Sequence, residues 1–312
     1  MTADPTANPG ADPAELAAYA SELLGVRLDP ASARLDESGW DFQVTHILDT
    51  RGAPWILRRP RRPEAVRQLA VEGEVLAAVR DRVPVPVPDW RLSTPWLVAY
   101  PRLPGEPAGT EDQNTLVYEW AIDPLAHPEK YLVPLAQTLV AVHATPTGEL
   151  DRLEETAATT PDGMRAAVAA RLARACAELR LPRARIRRWQ AWLDDDALWP
   201  DRLALVHGDV HPGHTLVTRP AAGPPCLSGL LDWANAGLGD PAADFVDLLY
   251  AGGPPVLDRL LEAYRAAGGE VRPTLRAHIL ARASFLWVHV ALRGLDTGRP
   301  AWVHTAMTRL AA

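Results

Sequence analysis

The stretch LVHGDVHPGHTLV, residues 205–217, concentrates side chains that can do chemistry. It carries three of the nine histidines and one aspartate within eight residues, namely His207, Asp209, His211 and His214. Imidazole and carboxylate groups bind metals and move protons. This composition fits a metal cage, a catalytic loop, or polar filler between two strands, and the flanking segments decide among them.

Short apolar strands are predicted around this stretch. They lie at residues 204–206, 215–217 and 227–231, with the turn-rich TRPAAGPPC between the last two. If those two strands pair as a hairpin, the beginning of one lies beside the end of the other. We therefore expect His214 next to Asp232, with Asp209 at the mouth of the preceding loop.

Two acids and one imidazole at the end of a small sheet suit phosphoryl transfer. That reaction needs an acid to orient the attacking hydroxyl and ligands that hold magnesium on nucleotide phosphates. The stretches HGDVHPGHTLV and GLLDWANAGLGDPAADF resemble the catalytic-loop and metal-loop motifs of aminoglycoside phosphotransferase-like kinases, a branch of the protein-kinase-like fold. His214, where the family usually has asparagine, resembles most the macrolide 2′-phosphotransferase subgroup.

The resemblance implies roles for individual residues. Asp209 is the catalytic base, Asp232 holds Mg²⁺ with help from His214, and Asp244 anchors the backbone of the catalytic loop. Magnesium favours oxygen ligands, so His214 is an unusual partner, and contact with a phosphate or a bound water is the alternative.

Three neighbouring residues have simpler interpretations. His207 and His211 are expected to support the structure of the loop rather than to bind a metal. Asp240 precedes a proline that opens a helix, so helix N-capping explains it.

The rest of the chain predicts two lobes. The clearest predicted elements are helices at Pro13–Leu24, 64–80, 131–143 and 163–179 and strands at 40–48, 54–58 and 95–100. We predict an α+β, bilobal protein-kinase-like fold. Its parts are a small β-rich nucleotide-binding lobe at residues 1–100, a hinge linker at 101–107, and a larger, mostly helical lobe at 108–312 with the catalytic hairpin and the substrate pocket.

A kinase-like small lobe supplies a cation for the phosphates, paired with a helix glutamate. The strand WILR ends in Arg58 where the family typically has lysine, and the resemblance implies that the macrolide subgroup tolerates arginine there. A planar guanidinium can bridge phosphates and a carboxylate. We favour Glu72 as its partner, because Glu72 flanks the apolar face of the helix whereas Glu74 lies on another face. A surface arginine and a solvated glutamate are the plainer alternatives.

The linker AYPRLPG fits the hinge of a nucleotide site. Aligned on Gly105, the resemblance gives Tyr100 the gatekeeper position, Pro101 a carbonyl for the base and Leu103 an N–H. The loop ESGWDFQV has one glycine and no G-x-G-x-x-G motif, so it predicts no phosphate cradle.

Composition limits the remaining classes. The chain has 312 residues, a net charge of −7, two cysteines and one lysine, Lys130. The acidic balance argues against broad nucleic-acid binding, and two cysteines are too few for a disulfide framework or a thiolate zinc site. Because neither a secretory signal nor a membrane-length apolar run is evident, we expect a cytoplasmic monomer whose partners are a nucleotide and a small molecule.

The acceptor depends on the C-terminal helices. Phe285 and Trp287 are candidates to line an apolar substrate pocket beside Asp209, although aromatics at helical spacing are usually core. Residues 251–312 contain four acids, few for a polycationic aminoglycoside. We predict transfer of the γ-phosphate of GTP, the donor that the resemblance implies, or of ATP to the 2′-hydroxyl of the amino sugar of macrolide antibiotics. Mg²⁺ is the expected cofactor.

Three alternatives remain open. One is a kinase for another hydroxylated small molecule, such as an aminoglycoside or a choline-like or homoserine-like alcohol. The second is a metal-dependent hydrolase built on the H-x-D-x-H-x-x-H spacing. The third is a nucleotide-binding relative without catalysis, which both aspartates argue against and the altered lysine and asparagine positions keep open.

Overall fold

Strands dominate the first third of the chain and helices the rest, as the α+β prediction requires. The computed structural model describes residues 4, 6, 8–10, 12–37, 41–112, 115–148, 150, 152–153 and 159–311.

The N-terminal sheet is antiparallel, with the strand order β1-β2-β3-β5-β4. Its strands are β1 (Leu28–Asp36), β2 (Phe42–Asp49), β3 (Pro54–Pro60), β4 (Leu92–Ser93) and β5 (Val98–Pro101). Alternate residues of a strand face opposite sides of a sheet. Trp55 and Leu57 therefore pack into one apolar cluster with the first helix, while Ile56 and Arg58 face the opposite side.

Two helices flank this sheet. Helix α1 (Pro13–Leu24) begins at an Asp12 cap, whose carboxylate accepts two backbone N–H groups, and it packs against β1. Helix α2 (Pro63–Val79) begins with a proline at its first position, where a missing N–H does no harm. Leu69 of α2 contacts the sheet side that also carries Arg58. The sheet thus directs Arg58 towards α2.

The C-terminal half is built from six helices in the described chain. They are α3 (Leu132–His143), α4 (Pro161–Glu178), α5 (Arg183–Asp194), α6 (Val246–Ala266), α7 (Leu275–Asp296) and α8 (Pro300–Ala311). Helix α6 is interrupted at Gly253, whose φ of 73° lies outside the helical region just before two prolines. Among the described residues, no helix combines the length and apolar character needed to cross a membrane.

Small sheets carry the motif residues between these helices. Their strands are β6 (Glu106–Pro107), β7 (Gly109–Glu111), β8 (Tyr118–Trp120), β9 (Ala204–Val206), β10 (Thr215–Thr218), β11 (Cys226–Leu230) and β12 (Gly237–Gly239). The predicted hairpin is confirmed: β10 pairs with β11 in antiparallel register. In addition, β6 pairs with β10, β9 with β12, and β7 with β8.

Several predicted boundaries change. The strand predicted at 40–48 is described from Phe42 onwards, and Trp40 lies outside the described residues. The strand predicted at 95–100 begins at Val98, and the predicted linker contains the end of β5 and all of β6. The division into lobes at residues 100 and 107 stays a prediction.

Candidate active site

The loop that follows β9 is held from behind by Asp244. Its carboxylate accepts hydrogen bonds from the backbone N–H groups of His207 at 3.0 Å and Gly208 at 2.6 Å, and from His143 Nε2 at 2.9 Å. Burial alone would raise the pKa of Asp244, but these donors keep it below its ordinary value. The predicted contact between Asp244 and the loop backbone is present.

His207 supports the same loop from within. Its Nδ1 accepts the Asp209 N–H at 3.3 Å, so its Nε2 carries the proton and donates to the carbonyl of Leu231 at 2.9 Å. Burial lowers the pKa of His207, which keeps this tautomer neutral. Both ring nitrogens are therefore engaged, as a structural role requires.

Gly208 allows a second loop to approach closely. Its φ is 81°, a left-handed conformation that favours glycine. A Cβ at this position would lie 2.5 Å from the carbonyl oxygen of Asn235. The side chain of Asn235 contacts the same loop, because its Nδ2 donates to Asp209 Oδ2 at 2.9 Å. The sequence reasoning missed Asn235.

The residues predicted to do the chemistry lie together. The Leu231 N–H donates to the His214 carbonyl at 2.8 Å, which extends the β10–β11 ladder by one step. His214 Nε2 then lies 3.6 Å from Asp232 Oδ2, and His214 Nδ1 lies 3.7 Å from Asp209 Oδ2. The predicted juxtaposition is confirmed, while the chemical roles stay predictions.

Asp232 has an unusual backbone. Its φ of 56° is left-handed, a conformation that aspartate tolerates better than most residues. Burial alone would raise the pKa of Asp232, but Arg58 and His214 lower it to about 2, so the carboxylate is anionic. With its side chain 42% exposed, it is the kind of oxygen ligand that Mg²⁺ prefers, whereas the imidazole of His214 is a poorer match.

The hydrogen bonds of the other histidines test the metal-cage hypothesis. Asp209, His211 and His214 each offer a ligand atom, and these atoms lie within 4.8 Å of one another. His211 Nδ1 accepts the Gly213 N–H at 3.1 Å, so its Nε2 carries a proton and cannot ligate. His214 Nδ1 donates to the Asp209 carbonyl at 3.0 Å. Burial acts to lower the pKa of His214, but the carboxylates of Asp232 and Asp209 raise it and so favour a proton on Nε2 as well. A zinc ion would have to displace that proton, which disfavours a zinc cage.

Arg58 is a buried residue rather than a surface arginine. Its Nη1 lies 2.6 Å from Glu72 Oε1 and its Nη2 lies 3.4 Å from Asp232 Oδ1, with Arg58 and Glu72 only 5% and 1% exposed. Burial opposes the charge, but the two carboxylates raise the pKa of Arg58. Glu74 instead accepts the backbone N–H of Arg152 at 3.0 Å. The predicted pairing of Arg58 with Glu72 is confirmed.

A cavity of about 400 Å³ lies between the N-terminal sheet and the β10–β11 hairpin. Five residues predicted for the nucleotide and metal line it: Arg58, Tyr100, Leu103, His214 and Asp232. Burial raises the pKa of Tyr100 to about 12, so its hydroxyl keeps its proton.

The predicted hinge begins at the end of β5. Pro101 lies opposite Trp55, while the next residue, Arg102, donates its N–H to the Pro54 carbonyl at 2.9 Å. In an antiparallel ladder, successive residues direct their N–H and C=O groups to opposite sides. The carbonyl of Pro101 therefore points away from β3, and the contacts of Pro101 and Leu103 with a base stay a prediction.

A second group of acids lies near Asp209. Glu111 and Tyr118 are paired across the β7–β8 hairpin and hydrogen-bonded through their side chains, and the Tyr118 ring lies 5.1 Å from that of His211. Burial raises the pKa of Asp247 to about 8, and the charges of Asp209 and Glu111 add to the rise. Glu111 and Asp247 thus lie close to the predicted base, Asp209, and each of these three carboxyl groups disfavours the charged form of the others.

Comparison with known proteins identifies the family. The profile described as the phosphotransferase enzyme family (APH) matches residues 32–278. The chain belongs to this family. The resemblance to aminoglycoside phosphotransferase-like kinases and the kinase-like fold predicted from the motifs are therefore confirmed.

Individual relatives resemble the phosphotransferase over nearly all of its length. The structure of a macrolide 2′-phosphotransferase type I is 35% identical, with a TM-score of 0.81, covering 98% of this chain and 99% of that one. The apoenzyme of macrolide 2′-phosphotransferase MphH from Brachybacterium faecium is 34% identical, with a TM-score of 0.81 and coverages of 96% and 98%. The uncharacterized protein YcbJ of Bacillus subtilis (strain 168) is 35% identical, covering 92% of each chain.

The predicted substrate aromatics of the phosphotransferase lie in the helical core. Phe285 is 1% exposed and packs edge-on against Trp189 at 5.2 Å, and its contact with a substrate stays a prediction. Trp287 is also buried in that core, and it reaches the acid group through Tyr250, whose ring lies 5.4 Å from Trp287 and 6.1 Å from Tyr118. The helical spacing of the aromatics indicated an apolar face without indicating what that face contacts.

Asp240 of the phosphotransferase does more than cap a helix. It accepts the Ala242 N–H at 2.9 Å at the start of a short 3₁₀ helix, Pro241–Phe245, as predicted. It also accepts hydrogen bonds from His278 Nε2 at 2.6 Å and from Arg282 at 3.2 Å. Capping alone therefore explains only part of its environment.

Proposed function

We propose that this phosphotransferase moves the γ-phosphoryl group of GTP or ATP to the 2′-hydroxyl of the amino sugar of a macrolide antibiotic and so inactivates the drug. The observation that carries the proposal is a series of ionisable side chains whose three middle members, Arg58, Asp232 and His214, line the cavity. It runs from Glu72 through Arg58 (2.6 Å), Asp232 (3.4 Å) and His214 (3.6 Å) to Asp209 (3.7 Å).

The buried end of the series suits the donor nucleotide. Arg58 is held against Glu72 by one nitrogen, and its other nitrogen faces Asp232 at a distance long enough to exchange that partner for a phosphate. The base of the nucleotide would lie against Tyr100, with the Pro101 carbonyl and the Leu103 N–H as its hydrogen-bonding groups. We expect the purine site in the cavity described above.

The donor set on Asp232 fits a magnesium ion. Asp232 would hold it through carboxylate oxygen, and His214 would contact a phosphate or a bound water rather than the ion. Bound there, Mg²⁺ supplies neutralising charge to the phosphates of the donor. Arg58 adds a second positive charge from the protein itself.

Asp209 is the group suited to the acceptor. Its carboxylate would accept the proton of the sugar hydroxyl while the hydroxyl oxygen bonds to the γ-phosphorus and the bond from that phosphorus to the nucleotide diphosphate breaks. Partial exposure of Asp209 leaves room for a hydroxyl to approach. No covalent intermediate with the protein is needed.

The choice of a macrolide rests on two supports. Two solved macrolide 2′-phosphotransferases resemble the chain at 34–35% identity over nearly its whole length. Glu111 and Asp247 lie close to Asp209, and the rings of Tyr118 and Tyr250 lie beside these acids. A bound ammonium group would lower the raised pKa values of Glu111 and Asp247 and so favour their charged forms. An amino sugar with one ammonium group and an apolar macrocycle would satisfy both the acids and the rings.

The test is a transfer assay with magnesium and either GTP or ATP. Each nucleotide is combined with erythromycin, a larger-ring macrolide or kanamycin. Mass spectrometry then shows whether the drug has gained the mass of one phosphoryl group. We expect phosphorylated macrolide with the wild type and with Asp81→Ala, an exposed control, and none above background with Asp209→Ala. Phosphorylated kanamycin without phosphorylated macrolide would contradict the proposed substrate.

A further inference from the structure

We infer that Asn235 is a positioning residue for Asp209, and that it holds one carboxylate oxygen so that the other receives the substrate proton. The inference rests on the proposed function, because it assigns the two oxygens of the proposed base. Asn235 Nδ2 donates to Asp209 Oδ2 at 2.9 Å. A carboxylate accepts and does not donate, so the amide nitrogen is the group that faces it.

The two oxygens of Asp209 have different environments. Oδ2 receives the Asn235 amide and lies 3.7 Å from His214 Nδ1, which already donates to the Asp209 carbonyl. Oδ1 is 3.9 Å from His211 Nε2, beyond hydrogen-bonding distance. Among the residues that the structure describes, no donor is shown within hydrogen-bonding distance of Oδ1, which leaves it available to a hydroxyl.

Two contacts fix the backbone around Asn235. Two residues after it, β12 starts at Gly237, which pairs with Val206 directly before the catalytic loop. At its own position, the Asn235 carbonyl lies against Gly208, where a side chain would leave only 2.5 Å. The Gly208 N–H in turn donates to Asp244 at 2.6 Å. These contacts fix the position of the Asn235 backbone and so place its side-chain amide within reach of Asp209.

The placement of Asn235 also links the base to the metal loop. Asn235 lies three residues after Asp232, and the Ala236 N–H closes the turn by donating to the Trp233 carbonyl at 2.9 Å. One short loop thus carries both the proposed metal ligand and the group that orients the base. A shift of this loop would move both together.

Exposure separates this role from a role in folding. The Asn235 side chain is exposed, and an exposed hydrogen bond adds little to stability because water replaces it. Its removal should therefore act on the rate of phosphoryl transfer. In the intact site, the hydroxyl proton passes to Oδ1 as the oxygen–phosphorus bond forms and the bond to the leaving diphosphate breaks.

The test compares Asn235→Leu, which has a similar size but no donor, and Asn235→Asp, which keeps the shape, with the wild-type protein. We expect kcat to fall by about 10- to 100-fold, the loss associated with a misplaced catalytic group, while KM for nucleotide and macrolide stays within about twofold. The melting temperature should not change. Asn8→Leu is the matched control, since Asn8 is an exposed asparagine that accepts a hydrogen bond from Arg59, and it should keep wild-type rates.

A double-variant cycle separates positioning from an independent effect. In an Asp209→Asn background, whose residual rate can be measured, Asn235→Leu should have no further effect, because the carboxylate that it orients is gone. An additional loss of similar size in that background would contradict the inference. So would a rise in KM for nucleotide with kcat unchanged.

Rates are measured with a macrolide and also as release of inorganic phosphate with water as the acceptor. A wild type that hydrolyses nucleotide without phosphorylating macrolides contradicts the proposed substrate alone, and the Asn235 variants should still lower its hydrolysis. Equal rates for Asn235→Leu and the wild type in both assays overturn the role of Asn235 alone.

Discussion

Aspartate–histidine contacts form two groups, called here the cleft face and the back face, and they differ in length and burial. The cleft face consists of Asp209, His214 and Asp232, which meet at 3.6–3.7 Å with side chains partly exposed. The back face consists of His143, Asp240, Asp244 and His278, which meet at 2.6–2.9 Å and are buried.

Further donors fix the back face. The indole N–H of Trp192 donates to His278 Nδ1 at 3.0 Å, so the proton of His278 sits on Nε2 and points at Asp240. The hydroxyl of Tyr264 meets His143 Nδ1 at 2.8 Å in the same way. Each buried imidazole therefore has a partner on both nitrogens.

Residue type alone therefore does not indicate whether an aspartate–histidine contact stabilises the fold or faces a ligand. Short, buried, fully partnered contacts hold the fold, because removing one partner leaves a polar group unpaired away from water. Longer contacts that face a cavity can exchange one partner for a ligand. The two faces should therefore respond differently to substitution.

The largest expected effect is on the cleft face. Asp209→Asn keeps the shape of the side chain but removes the carboxylate that would accept the hydroxyl proton. We expect the transfer rate to fall by about 10²- to 10⁴-fold, with no change in the urea midpoint. Steady-state kinetics and urea unfolding check this, and a large loss of stability would show that the cleft face also holds the fold.

The reverse pattern is expected for Asp240 on the back face. Asp240→Ala leaves His278 and Arg282 without their acceptor, and we expect a loss of about 3–5 kcal/mol in the free energy of unfolding. Asp258→Ala, which breaks an exposed pair with Arg276 at 2.6 Å, is the control and should change stability by less than about 1 kcal/mol. Similar losses for both variants would contradict the difference in burial.

The pH dependence of stability tests the role of the buried Asp240 in a second way. Burial acts to raise the pKa of Asp240, but His278 and Arg282 lower it from its ordinary 3.8 to about 2. Because the folded pKa is lowered, the stabilisation is complete above about pH 4 and is lost as the pH falls towards about 2, a change of about 2 kcal/mol. Urea unfolding of the wild type and Asp240→Asn between these pH values should show their difference shrinking in acid, and a constant difference would exclude this linkage.

The smallest expected effect is at Trp192. Trp192→Phe removes the N–H that His278 accepts while keeping most of the ring, and we expect a loss of about 1 kcal/mol. Thermal unfolding measures it, with transfer kinetics as the second readout. A loss as large as that of Asp240→Ala would mean that packing, and not the hydrogen bond, dominates at this position.

Much of the cleft face could be predicted because its geometry is local. The turn-rich stretch between β10 and β11 indicated a hairpin, and antiparallel pairing then set His214 beside Asp232. The Arg58–Glu72 pair was accessible for a similar reason, since strand alternation and helix spacing each select one face. These predictions needed no knowledge of distant contacts.

Other features depend on contacts that no local pattern reports. Strands β1, β7 and β12 lack the β-branched and aromatic runs that indicate strands, and they form because a partner strand is present. Glu111 and Asp247 approach Asp209 from elements more than thirty residues away in the chain. Asn235 reaches Asp209 because Gly208 takes a left-handed conformation, which a glycine permits but does not require.

The buried arginine of β3, Arg58, has a consequence for labelling chemistry. A guanidinium remains protonated and lacks the nucleophilic amine of a lysine. The side-chain amine occurs once in the chain, at the exposed Lys130. Reagents that acylate amines, including reactive groups carried on a nucleotide, would therefore leave Arg58 untouched, and Lys130 offers a single side-chain attachment point for a dye or a surface.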